Sequence, residues 1–164
     1  MNTYGYVGGN PLGWIDPFGL EKIVIDLSED ELTLYDDNGK ELFDANIVHG
    51  CEGFDTPKGE FKAGFWQFDK TNSKYGATPW SKDSSNPYGP WFLRVNDLNG
   101  KYTTIGIHGT AGPGWNPLAK PPFSSLFGEF AGCSHGCVRI SNPNIKELQN
   151  LIPKPQNTTI IVKE

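Results

Sequence analysis

Tyr102-Thr103-Thr104-Ile105-Gly106-Ile107-His108-Gly109-Thr110 is followed further along by Ser134-His135-Gly136-Cys137-Val138-Arg139-Ile140-Ser141-Asn142. The first stretch alternates and reads as a strand that ends on a histidine, where the side chain is held by a sheet yet faces the loops. The second offers a thiol preceded by Gly and His. A thiol is a poor nucleophile until a base or a positive field makes it a thiolate, so a cysteine and a strand-end histidine are the parts of an acyl-transfer centre.

Each residue has a plainer reading. Free cysteines are among the most buried residue types, so Cys137 could be a packing residue. Its polar neighbours Ser134 and His135 argue otherwise. So does Gly136, which lets a substrate approach the backbone, and the N–H groups around Gly136 and Cys137 are candidates for an oxyanion hole. His108 alone would read as a satisfied structural histidine; beside Cys137 it reads as the base. His135 competes for that role but is too near Cys137 in sequence, and it reads better as a residue that orients the loop or stabilises the intermediate.

Outward from these stretches the chain reads as strands, at 22–27, 31–36, 41–48, 60–68, 91–96, 102–108 and 158–163. Asp37-Asn38-Gly39 and Leu98-Asn99-Gly100 supply tight hairpin turns. One helix starts at Asn142, with Asn142 as the expected cap, Pro143 in the first turn, and Ile145, Leu148, Leu151 and Ile152 as the apolar face. Pro153 and Pro155 end it. Residues 69–90 and 111–132 read as long loops, a form that is often functional or mobile.

Composition agrees with a β-rich fold: 20 Gly, 13 Pro and 13% aromatics in 164 residues favour short strands and tight turns. A net charge of −5 without a Lys/Arg cluster argues against nucleic acid. No apolar run approaches the ~20 residues that span a bilayer, and no secretory signal is visible. Three cysteines cannot all pair within the chain, and Cys51 with Cys133 is a pair open to closure in an oxidising compartment. His49 and Cys51 are rejected as a second site, and zinc on Cys133, His135 and Cys137 is disfavoured because the ligands alternate too tightly.

Ile107-His108-Gly109-Thr110 and Ser134-His135-Gly136-Cys137-Val138-Arg139-Ile140-Ser141-Asn142 resemble the L,D-transpeptidase (YkuD) catalytic domain. Asp55-Thr56-Pro57-Lys58-Gly59-Glu60-Phe61 is similar to its Thr-Pro-x-Gly-x-Phe strand start. The resemblance spans roughly 22–163. It implies a mainly β fold with one short helix, a YkuD-like β-sandwich with mixed sheets. It further implies that Cys137 is acylated, that His108 is its base, and that Gly109 and Thr110 position the histidine, partly through backbone carbonyls. Ser134, His135 and Gly136 would shape the thiolate pocket and oxyanion hole, and Arg139 would brace the loop or meet a substrate carboxylate. The substrate would be a peptidoglycan stem peptide, with no metal or organic cofactor. Twenty-six positions separate His108 from Ser134, more than the family's usual bridge. The surplus reads as a lid, an acceptor-side wall or a clamp, with Trp115, Phe123, Phe127 and Phe130 as groove candidates or as simple packing residues. Cross-linking, exchange and hydrolysis all stay open.

Residues 1–20 differ from the rest, with a single charge and no sustained periodicity. Tyr4-Gly5-Tyr6-Val7-Gly8-Gly9-Asn10-Pro11-Leu12 and Asp16-Pro17-Phe18-Gly19-Leu20 closely resemble the end of an Rhs-repeat core. That resemblance implies a cut between Leu20 and Glu21, with 21–164 as a toxin tip delivered by the core machinery. The tip would act in the target cell's periplasm, countered by a cognate immunity protein. The alternatives are a plain linker before a housekeeping wall enzyme, or a non-catalytic wall-binding module.

Overall fold

The computed structural model describes residues 21–50, 52–74, 76–112 and 134–164. Strands β1 (Lys22–Asp26), β2 (Glu31–Tyr35), β3 (Glu41–Asn46), β4 (Gly59–Phe68), β5 (Trp91–Asn96) and β6 (Tyr102–His108) follow the alternation of the sequence. Then come β7 (Val138–Arg139), helix α1 (Asn142–Leu151), a 3-10 turn (Pro155–Asn157) and β8 (Thr159–Lys163). Strand β7 is not among the strands read from alternation, because two residues carry no readable period.

The eight strands of the described residues join one mixed sheet in the order β3-β2-β1-β8-β4-β5-β6-β7. Pairs β1–β8 and β6–β7 are parallel. The sheet curls until its ends meet, because the segment after β3 bridges the β7 region at Val48↔Arg139 and Gly50↔Ser134. Among the described residues the expected mainly β, mixed-strand architecture with one helix is therefore built from a single curled sheet. Inside the curl Ile23, Ile25, Leu32, Leu34, Leu93, Ile107, Val138 and Ile160 pack with Ile145 and Leu148 of α1. Each such side chain contributes about 1.5–3 kcal/mol of transfer free energy.

Two hairpin turns use the same chemistry. Asp36 Oδ1 accepts from the N–H groups of Asn38 and Lys40 at 2.9 and 2.8 Å, and Asp97 Oδ1 accepts from those of Asn99 and Lys101 at 2.9 and 2.8 Å. The aspartate before each expected turn thus belongs to it, in a repeated Asp-x-Asn-Gly-Lys pattern.

The helix start corrects one expectation. Ser141, in an extended conformation, is the cap, and its hydroxyl accepts from the Asn144 N–H at 3.2 Å. Asn142 falls one position inside, which frees its amide for another task. Leu151 is also not part of the buried face: it is 42% exposed at the last helical position.

Candidate active site

Strands β6 and β7 build the site. Their parallel register sets Ile107 opposite Val138 and His108 opposite Arg139. Ile107 and Val138 are core residues, so the alternation of a strand turns His108, Cys137 and Arg139 to the other face. One step before Val138, Cys137 stands beside Gly106, which makes a backbone hydrogen bond to the thiol.

The turn into Cys137 is held on several sides. Gly136 has φ +96°, a left-handed conformation that an L side chain would strain. Buried Thr56 donates its hydroxyl to the Gly136 carbonyl at 3.1 Å while accepting from the Gly50 N–H at 2.9 Å. The Ser134 N–H donates to the His49 carbonyl at 2.8 Å, and the Ser134 hydroxyl donates to the Cys137 carbonyl. On the far side the Ile140 N–H donates to the His108 carbonyl at 3.0 Å.

His108 is 4% exposed, enclosed by aromatic rings. Phe92 stacks on it with an interplanar angle of 13° at 5.5 Å, and Tyr88 meets it edge-on at 5.4 Å. The stack depends on Gly106, where a Cβ would fall 2.2 Å from Phe92 Cζ. His108 Nδ1 donates to the Gly109 carbonyl at 2.7 Å. A carbonyl only accepts, so Nδ1 is the donor of this bond.

The amide of Asn142 clamps the next residues. Its Oδ1 accepts from the Thr110 N–H at 2.8 Å, and its Nδ2 donates to the carbonyls of Thr110 and Gly112 at 3.0 and 2.9 Å.

Burial dominates the electrostatics. It pushes the Cys137 thiol above its ordinary range, against the opposing pull of the Gly106 hydrogen bond and the cations Arg139 and Lys70. Burial, with Arg139 next, pushes His108 down to about 3, although backbone hydrogen bonds with Gly109 and Tyr88 oppose it. At neutral pH the resting site therefore holds a neutral thiol and a neutral imidazole.

A family profile for the L,D-transpeptidase catalytic domain, YkuD, matches residues 21–162. The chain belongs to this family. Solved structures of similar fold include an Enterococcus faecium L,D-transpeptidase mutant (23% identity, TM-score 0.57, covering 87% of this chain and 49% of that one). An L,D-transpeptidase from Stackebrandtia nassauensis is 20% identical with TM-score 0.60, covering 89% of this chain and 56% of that one. The helical cell shape determining protein Pgp2 of Campylobacter jejuni is 16% identical with TM-score 0.59, covering 89% and 48%. The chain thus spans about half the length of these relatives. No curated protein sequence matches it.

Within this L,D-transpeptidase-type domain the structure brings Cys137, Gly136, Ser134 and Arg139 onto one loop and strand, against the strand that ends in His108 and the Gly109-Thr110 segment that follows it. His135 is exposed, its ring edge-on to Phe54 at 4.5 Å. His49 contacts Asp30 Oδ1 at 3.3 Å and donates from Nδ1 to the Gly50 carbonyl. Trp115, Phe123, Phe127 and Phe130, the cysteines Cys51 and Cys133, and the 1–20 segment lie outside the described residues. Sequence reasoning missed Tyr88, Phe92, Asn142, Lys70 and Arg94. Phe92 and Arg94 were legible only as alternate positions of the 91–96 strand. Tyr88 and Lys70 sit in a loop whose path no local pattern encodes.

Proposed function

We propose that this domain is a cysteine acyltransferase acting on peptidoglycan stem peptides. The observation that carries the reading is the parallel β6–β7 pairing, which sets the Cys137 strand against the strand ending in His108, in a chain of this family. His108 takes the thiol proton as the sulfur attacks the amide carbonyl between the third-position diamino acid and terminal D-alanine. Backbone N–H groups near Gly136 and Cys137 face the oxyanion. Collapse breaks the C–N bond, the proton passes to the leaving nitrogen, and D-alanine departs from a thioester. An amine or water then resolves that thioester and restores the thiol, giving a cross-link, an exchange product or a trimmed stem. Because both groups start neutral, proton transfer accompanies attack instead of preceding it.

Incubation of the purified chain with a stem tetrapeptide should release D-alanine and leave an acyl mass on Cys137. Cys137→Ala should abolish both, and His108→Ala should cut turnover about 10²–10⁴-fold. Undiminished release by Cys137→Ala would overturn the reading, and an acyl mass on Cys137 excludes a purely wall-binding module.

The likeness of residues 1–20 to an Rhs core supports a toxic tip acting in a target cell's periplasm, with an immunity protein as its partner. Housekeeping wall remodelling is equally compatible, and it is supported by the cell-shape role in the name of the C. jejuni relative. Export of 21–164 to the periplasm separates the two: lysis or rounding seen only on export supports the toxin, and harmless rescue of a wall-enzyme deletion supports housekeeping.

A further inference from the structure

Two cations, Lys70 and Arg94, stand on the site face of the sheet with no acidic partner among the described residues. Arg94 and Phe92 are alternate residues of β5, paired with Gly106 and His108, so Arg94 lies in line with the strand position that serves the thiol. Its guanidinium Cζ sits 3.8 Å above the Tyr102 ring and 5.0 Å from that of Phe65. Lys70, just beyond β4, has its carbonyl held by Asn86 Nδ2 at 3.1 Å. Its ammonium lies 4.5 Å over Phe92 and 5.3 Å over Tyr88, the two rings that enclose His108. The ion pairs among the described residues join Lys58 with Glu164 and Lys163 with Asp26, His49 lies beside Asp30, and none of these contacts involves Lys70 or Arg94.

Their closeness has an electrostatic signature. Burial lowers the Lys70 pKa, Arg94 lowers it further, and Cys137 as a thiolate raises it. Two like charges are therefore held together, half-buried and near the sulfur, in a chain whose net charge is −5. Aromatic faces reduce the cost of dehydrating such cations but leave their hydrogen-bond donors unused. An anion placed between them would relieve the repulsion and take up those donors.

We infer that Lys70 and Arg94 form a carboxylate-binding subsite that reads the acyl donor beside its scissile bond. The inference rests on the acyltransferase reading above. A stem tetrapeptide carries two carboxylates near that bond, one on the leaving terminal residue and one on the side-chain centre of a third-position diaminopimelate. Either offers the same planar oxygen pair, which suits a guanidinium and an ammonium.

The full chain carrying Cys137→Ala is titrated with three synthetic tetrapeptides: the free acid, its C-terminal amide, and the peptide amidated on the third-residue side chain. One amide should bind about 10- to 100-fold more weakly than the free acid, and which one it is names the carboxylate. Lys70→Gln and Arg94→Gln should collapse that ratio toward one, while Lys70→Arg and Arg94→Lys should keep most of it. Equal binding of all three peptides would overturn the inference. So would a ratio untouched by the Gln variants, or variants that shift only the pH dependence of Cys137 alkylation, since the cations would then serve the thiolate. A wild-type chain that neither releases D-alanine nor acylates Cys137 overturns the acyltransferase reading itself, and the subsite with it.

Discussion

Asn142, the first residue of helix α1, holds Thr110 by both of its backbone groups, at 2.8 Å through Oδ1 and 3.0 Å through Nδ2. The residue that starts the helix after the cysteine thereby ties down the segment that follows the histidine. Gly109 packs against the same amide so closely that a Cβ there would lie 2.3 Å from Asn142 Oδ1.

Asn142→Ala should therefore destabilise the domain by about 1–3 kcal/mol for each group it orphans in the buried segment. Asn142→Asp keeps the acceptor but loses the donor, and it sets a carboxylate against the carbonyls of Thr110 and Gly112. It should be no better than the alanine variant in urea denaturation, and D-alanine release should fall in both. An Asp variant of wild-type stability would show that the clamp is dispensable.

Gly106→Ala should displace the Phe92 ring from His108, because the added methyl would lie 2.2 Å from Phe92 Cζ. Overpacking of this kind costs about 1–3 kcal/mol. Adding Phe92→Leu should restore much of the stability but not the turnover, since the imidazole then lacks its stacking partner. Thermal melting and turnover of the three variants separate the two effects.

His108 makes stability depend on pH. Its folded pKa, pushed down to about 3 by burial and then by Arg139, lies below the value of 6.5 it takes when exposed. Between those values the unfolded chain binds a proton that the folded chain does not, so stability falls as pH falls through that window. The loss attributable to His108 is about 2 kcal/mol at pH 5 relative to neutral pH. His108→Gln should flatten this part of the curve in denaturant titrations at pH 5 and 7, and identical slopes would show that the imidazole is not buried neutral.

Alkylation of Cys137 should follow the pH profile of a thiol that is protonated at rest and reacts through its thiolate. Burial raises the Cys137 pKa, so its reaction with iodoacetamide should accelerate with pH into the alkaline range and not level off near neutrality. Lys70→Gln should move the profile further upward, because Lys70 favours the thiolate. A rate already flat at pH 7 would mean that the resting centre is an ion pair.

Much of the architecture is written locally. The alternation in 22–27, 31–36, 91–96 and 102–108 marks strands because one face of each meets the core, and the Asn-Gly turns close two hairpins because Gly39 and Gly100 take positive φ, 79° and 83°. The cap was misread by one residue because Ser141 and Asn142 both have capping side chains. Only backbone conformation decides which one stays outside the helix.

The sequence by itself determined the strands, the helix, the family likeness and the segments that carry a thiol and an imidazole, since each is a property of neighbours along the chain. Tertiary structure alone decided that β8 enters between β1 and β4, that the sheet curls until Val48 meets Arg139, and that β7 lies parallel to β6. It also set Lys70, Tyr88, Phe92 and Arg94 around the site from segments distant in sequence. The physical reason is that burial, which lifts the thiol and lowers the imidazole, and charge proximity, which crowds the two cations, are sums over space and leave no periodic trace along the chain.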